Sequence, residues 1–139
     1  MYDLRELVSI GQSAKIAHVV HPSEAALQYS KGLEELLSTP ALIGLIIRAG
    51  AETLDPYLPE GYISIGRSIE FEHSAPTLVG GHIVVETTVS DVQPLFVVLD
   101  IMVKDEAGEI GTGKHWRSIV VTEKLLERAK QRSLLASNS

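Results

Sequence analysis

The chain has no cysteine among its 139 residues. Disulfides, a thiolate nucleophile and thiolate metal ligands are therefore excluded, and the composition fits a reducing compartment. Basic residues are also few. The 12 Lys and Arg stand against 18 Asp and Glu for a formal charge of −6, with no long basic run, which argues against general affinity for nucleic acid. Long apolar runs are missing too: the most hydrophobic stretch, positions 36–47, falls well short of the ~20 residues that cross a bilayer. The opening residues Met1-Tyr2-Asp3-Leu4-Arg5-Glu6-Leu7 are too charged for a secretory signal, so a cytoplasmic protein is expected, with no membrane partner.

What is present suffices for one domain over residues 1–139, because 45% of the residues are hydrophobic and the length allows a sizeable core. The most informative run is Ser38-Thr39-Pro40-Ala41-Leu42-Ile43-Gly44-Leu45-Ile46-Ile47. Thr39 is placed to cap the free amides of a helix, and Pro40, which has no amide to satisfy and a preset φ, suits its first turn. At helical spacing Leu42, Ile43, Leu45, Ile46 and Ile47 spread around the whole circumference. This predicts a helix to about Leu54 that is wrapped on several sides and stopped by Pro56 and the Pro59-Glu60-Gly61 turn. Its positive dipole end, with the hydroxyls of Ser38 and Thr39, suits an anion or a polarised carbonyl oxygen.

Ahead of this helix, Ser13 to Val20 reads as a strand closed by His21-Pro22. Ser23 is read as the cap of a short helical segment through Tyr29, with a second brief stretch from Leu33 to Leu37. From Tyr62 onward the period becomes two, placing Ile63, Ile65, Ile69, Phe71 and His73 on one face of a long strand. Three strands follow: Gly81 to Asp91 with Ile83, Val85 and Val89 inward, Pro94 to Lys104 with Leu95, Val97, Leu99, Ile101 and Val103 inward, and Ile110 to Val121. Short connections such as Asp105-Glu106-Ala107-Gly108 predict antiparallel neighbours. Phe96, Val98 and Met102 make the other face of the Pro94 to Lys104 strand apolar as well, marking a partner surface or a second covered face. Thr122 opens a final amphipathic helix with Leu125, Leu126 and Ala129, and Ser133 to Ser139 is expected to fray. The element order gives an α+β fold, an antiparallel sheet curled around one helix.

Several motifs fail on context. Gly108-Glu109-Ile110-Gly111-Thr112-Gly113-Lys114 imitates a phosphate-binding loop, but His115 stands where Ser or Thr is required and a strand follows. His18 and His21 have no third ligand in sequence, and no metal site is assigned. Gly61 to Gly66 contains Ser64 without the spacing of a nucleophile elbow.

Four segments in register carry a resemblance: Ser38-Thr39-Pro40-Ala41-Leu42-Ile43, Pro56-Tyr57-Leu58-Pro59-Glu60-Gly61, Glu72-His73-Ser74-Ala75-Pro76-Thr77, and Glu109-Ile110-Gly111-Thr112-Gly113 with His115 and Arg117. Together they resemble the hotdog-fold thioesterases of the fluoroacetyl-CoA thioesterase subgroup, over roughly Ser13 to Val121. The resemblance implies a hotdog fold, a homodimer with two active sites at the subunit interface, and hydrolysis of a small acyl-CoA, with coenzyme A entering only as part of the substrate. In the subgroup a threonine ahead of the central helix, a glutamate within it and a histidine at the next strand's end act on the thioester. The threonine falls on Thr39 and the histidine on His73. The glutamate position holds Ile47, which cannot serve as an acid or base.

The residues themselves allow a plainer account of each candidate. His73 is a half-buried strand-end imidazole, or a general base or acid on water. Thr39 is a helix cap, and its hydroxyl at a positive helix end can also hold substrate or water. Gly66 is a bulge, or an amide that meets a carbonyl oxygen. Arg117, with Lys114 nearby, is a surface cation or a contact for coenzyme A phosphates. Ser38 and Ile47 complete the expected substrate-binding set. Two functions follow: an acyl-CoA thioesterase acting through Thr39 and His73, or a non-catalytic acyl-CoA or metabolite-binding hotdog protein. A hotdog hydratase would need a paired Asp and His, and no such signature is present.

Overall fold

The computed structural model describes residues 3–137. In chain order the elements are α1 (Leu4–Leu7), β1 (Ser13–Val19), α2 (Thr39–Leu54), β2 (Tyr62–His73), β3 (His82–Val92), β4 (Phe96–Asp105), β5 (Gly108–Val121) and α3 (Thr122–Ser137). The strands form a single antiparallel sheet in the order β1-β3-β4-β5-β2, with α2 laid across one face. The last three strands are sequential hairpin neighbours, as short turns dictate. β2 departs from that pattern: it pairs with β5 and not with β3, so it forms a sheet edge.

The apolar residues of α2 are sorted by face, and the expectation of burial all round does not hold within one chain. Leu42, Leu45, Ile46, Ala49, Gly50, Thr53 and Leu54 are buried against the sheet, while Ile47 is 42% exposed and Gly44 and Arg48 are open. The main core joins Leu42, Leu45, Ile46 and Ala49 of the helix to Ile16, Ile83, Val85, Ile101 and Val103 of the sheet. A second cluster at the far end seats Leu4 and Val8 on Leu54, Val89, Val97 and Leu99. It makes use of α1, a four-residue helix with no counterpart in the sequence reading; Asp3 caps it by accepting the Arg5 N–H at 3.0 Å.

Other departures have local causes. His21, not Ser23, caps the turn after β1: its ring accepts the Ser23 N–H at 3.0 Å while the Glu24 carboxylate accepts the His21 N–H at 2.7 Å. Two separate 3-10 turns, Pro22–Glu24 and Ala26–Gln28, replace one helical segment. Leu33 to Leu37 is turn followed by two isolated bridges, Leu36 with Leu78 and Leu37 with Ala25. Arg67 is an extra residue in β2, between the pairs Gly66–Arg117 and Ser68–Trp116, and it reverses the strand's alternation. Ser64 and Gly66 therefore share the inner face with Ile69, Phe71 and His73, and Ile63 and Ile65 turn to the outer one. Leu95 precedes β4 and is 59% exposed. The last helix continues through Ser137 without fraying at Ser133, and none of its described side chains is buried. Asn138 and Ser139 lie outside the described residues.

The inner face of β5 carries Gly111, Gly113, His115 and Arg117 in alternation, so two polar side chains enter the core. His115 is fully buried between α2 and β2, at Gly50 and Gly66. A Cβ at Gly50 would lie 3.0 Å from its Nδ1, and one at Gly66 would lie 3.4 Å from its Nε2. Neither ring nitrogen has a hydrogen-bond partner. Burial, with the Arg117 charge second, lowers the His115 pKa from 6.5 to about 4. The unfolded chain takes up this proton first as pH falls, so stability is full above about pH 6.5 and declines toward about pH 4. The gap corresponds to about 3 kcal/mol. Urea unfolding followed over that window should show the decline, and His115→Asn should remove its larger part. A flat wild-type profile would mean that the imidazole is not held neutral in the core.

Candidate active site

Ser38 has extended backbone, with φ −78° and ψ 148°, and its Oγ accepts the Ala41 N–H at 3.2 Å. It is the cap of α2, so the expectation that Thr39 caps the helix is corrected: Thr39 already has helical geometry and its hydroxyl is released from that duty. That hydroxyl lies 2.8 Å from Nδ1 of His73. His73 arrives there as the last residue of β2, on the same inner face as Ile69 and Phe71. Its Nε2 is buried and has no hydrogen-bond partner. Burial lowers the His73 pKa from its ordinary value against the opposing pull of the Ala75 backbone, which favours the neutral imidazole.

This pair stands on the wall of a cavity of about 380 Å³, where Tyr29, Leu33, Leu36 and Pro76 supply apolar surface. Ser38 lines the same cavity, but it is buried and its hydroxyl is committed to the cap. The positive end of α2 faces the pair, which favours negative charge developing on a bound group.

Ile47, Gly66 and Arg117 form a second group about two turns along α2, some 12 Å from Thr39 at the helical rise. One chain does not bring the two groups into contact. Arg117 is only 3% exposed, which removes both the surface-cation account and a reach to phosphates in this conformation. Its Nε donates to Ser64 Oγ at 2.9 Å, Nη2 to the Ser64 carbonyl at 2.8 Å, and Nη1 to the Ile47 carbonyl at 3.5 Å. Burial lowers the Arg117 pKa, and the negative charge of Asp55 opposes this. Lys114 faces away and donates to Asp100 at 2.6 Å. Gly66 and Ile47 are both open to solvent, so the missing side chain at Gly66 leaves a notch with His115 Nε2 and Arg117 Nη1 beneath it.

Asp55, Ser64 and His115 were not singled out as site residues by sequence reasoning. For His115 a signal existed, since alternation along β5 puts it on the face of Arg117; for Ser64 the bulge at Arg67 concealed the face. Among the described residues no group of three or more His, Cys, Asp or Glu could hold a metal ion, and no helix is long and apolar enough to cross a membrane.

Residues 20–123 match the family of fluoroacetyl-CoA-specific thioesterases. A fluoroacetyl-CoA thioesterase of Streptantibioticus cattleyicolor is 28% identical over 99 residues, 71% of each chain. Among solved structures, a hot-dog-like protein from Thermanaerovibrio acidaminovorans superimposes with a TM-score of 0.89 at 33% identity, covering 94% of this chain and 97% of that one. A fluoroacetyl-CoA thioesterase structure does so with a TM-score of 0.80 at 25% identity, covering 89% and 96%. A sheet with one helix across it and a match over most of the length agree: the chain has the hotdog fold and belongs to the fluoroacetyl-CoA-specific thioesterase family.

Proposed function

We propose that this protein hydrolyses the thioester of a small acyl-CoA, with Thr39 and His73 as the chemical groups. The observation that carries the reading is the 2.8 Å contact between Thr39 Oγ1 and His73 Nδ1 at the positive end of α2, beside a cavity with apolar walls. With the proton on Nδ1, His73 donates to the Thr39 hydroxyl oxygen, and the Nε2 lone pair, which has no partner in the chain, is free to hold a water against the carbonyl carbon. His73 takes a proton from that water as the C–O bond forms, and returns it to the sulfur as the C–S bond breaks, giving a carboxylic acid and the free thiol. The lowered pKa keeps the imidazole in the neutral form that a base requires. No cofactor is needed beyond the coenzyme A of the substrate. A cytoplasmic location belongs to the same reading.

The working unit is a homodimer. Among the described residues no strand pairs with the edge of β2 from Ile63 to His73 that lies opposite β5, and beside it α2 presents Gly44 and Ile47 to solvent. An edge strand next to an apolar stripe is a surface for a second copy, and pairing there offers a way to bring one chain's Thr39–His73 group near the other's Gly66 notch. A second function, binding without hydrolysis, rests on one residue: Ile47 stands where the subgroup places its glutamate.

Three outcomes are expected. Sedimentation at micromolar concentration should give a dimer, and a clean monomer would sink that assembly. Thr39→Ala and His73→Ala should each fold and lower thiol release from short acyl-CoAs by about 10²-fold or more; unchanged turnover in either removes it from the mechanism. Ile47→Glu should raise hydrolysis, since a carboxylate beside the notch restores a positioned acid-base group. A folded Ile47→Glu protein with no gain on any acyl-CoA, from a wild type that binds but does not hydrolyse, would favour the binding function.

A further inference from the structure

The charge of Arg117 is answered at one remove. Asp55 closes α2 at its C-terminus, and its Oδ1 accepts both the Ser64 N–H at 2.9 Å and the Ser64 Oγ–H at 2.6 Å. Ser64 has one hydroxyl proton, and it is given to Asp55. Its oxygen is therefore left to accept from Arg117 Nε, as the 2.9 Å contact shows. The chain Asp55–Ser64–Arg117 thus runs one way, from guanidinium through hydroxyl to carboxylate, with no direct ion pair between its ends among the described residues. A buried cation needs such an answer, since an uncompensated charge in the core costs several kcal/mol.

The other groups around the notch add no net charge. Arg48 and Glu52 on the exposed face of α2 pair with each other at 3.4 Å, His115 is buried without a polar partner, and Ile47 is apolar. Arg67, the bulge residue, turns to the outer face and lies 5.2 Å from the Phe96 ring centroid.

We propose that Asp55 is a specificity-determining residue: by answering Arg117 through Ser64 it makes the Gly66 notch electrically neutral, so that the pocket accepts uncharged acyl groups and rejects acyl groups that end in a carboxylate. A carboxylate brought to Arg117 would meet a cation already neutralised and a second negative charge behind it. Nη1 lies beneath the notch, 3.9 Å from where a Cβ at Gly66 would stand, and carries a second N–H beyond the one given to Ile47. Rejection here comes from the second charge and not from size. The inference rests on the thioesterase reading of the same site.

The test compares butyryl-CoA with succinyl-CoA, which have acyl chains of equal carbon count and differ by the terminal carboxylate. The wild-type protein should favour butyryl-CoA in kcat/KM by at least about tenfold. Asp55→Asn keeps an acceptor for Ser64 while deleting the charge, and should narrow that ratio by at least about tenfold, with the change carried by succinyl-CoA. A folded Asp55→Asn protein with an unchanged ratio would overturn the proposal. So would a wild-type preference for succinyl-CoA, which needs no variant. If the wild type hydrolyses neither thioester, the same ratio is read from calorimetric dissociation constants for the two compounds, and the thioesterase reading itself fails if no other short acyl-CoA is hydrolysed. Equal wild-type affinities there would overturn the role given to Asp55, and a butyryl preference that narrows in Asp55→Asn would sustain it.

Discussion

The structure depends on how closely α2 approaches the sheet. Gly50 is the residue that allows it: any side chain there would press on His115 and on the stem of Arg117, both 3.0 Å from where a Cβ would stand. With that clearance the helix lies across the inner face, Leu42, Ile46 and Ala49 are fully buried, and its two ends are fixed at once. At the start, Ser38 holds the free amides and Thr39 meets His73. At the finish, Asp55 meets Ser64. A helix standing further from the sheet would lose both contacts together, although they are separated by the whole length of α2.

Under the proposed function, two ends of one rigid element carry different duties. The first is chemical: a hydroxyl and an imidazole kept neutral by burial, at the positive end of a dipole. The second is electrostatic: a buried guanidinium held by a serine and answered by a carboxylate. Rigid placement suits both, because a general base and a charge-balanced donor each lose effect within about an ångström of misplacement. Between them Gly44 and Ile47 are left open by the chain's own sheet, and Ile43 is half-buried.

Much of this was legible in the sequence. The bounds of α2 followed from Thr39-Pro40 and Pro56, and those of β3 to β5, to within two residues, from alternation and short turns, because local rules decide such features. The pairing of Thr39 with His73 was carried by resemblance; no local rule connects residues so far apart in the chain. What escaped had non-local causes. The cap passed from Thr39 to Ser38 because backbone angles, not residue type, choose between adjacent hydroxyls. The sorting of apolar residues on α2 escaped because a uniformly apolar helix does not announce which face its own chain covers. One inserted residue, Arg67, reversed the faces of Ile63 and Ile65 and brought Ser64 inward. Arg117 read as a surface cation or a contact for coenzyme A phosphates because its partners, Ser64 and Asp55, lie far from it in sequence.

The unused nitrogens point the same way as the open strip. His73 Nε2 and both nitrogens of His115 are buried without hydrogen-bond partners, in a chain whose other described buried side-chain nitrogens and oxygens are all satisfied. Each orphan costs stability, about 1–3 kcal/mol where a buried donor or acceptor is left bare. His73 Nε2 belongs to the Thr39 pair beside the cavity, and His115 Nε2 lies beneath the Gly66 notch. An orphan inside a sealed core would be only a defect. Under the proposed function, one placed beside an opening recovers its cost when a polar atom of the substrate arrives. Two of the three unsatisfied atoms thus lie beside the cavity and beneath the notch, while His115 Nδ1 faces Gly50 inside the contact of α2 with the sheet.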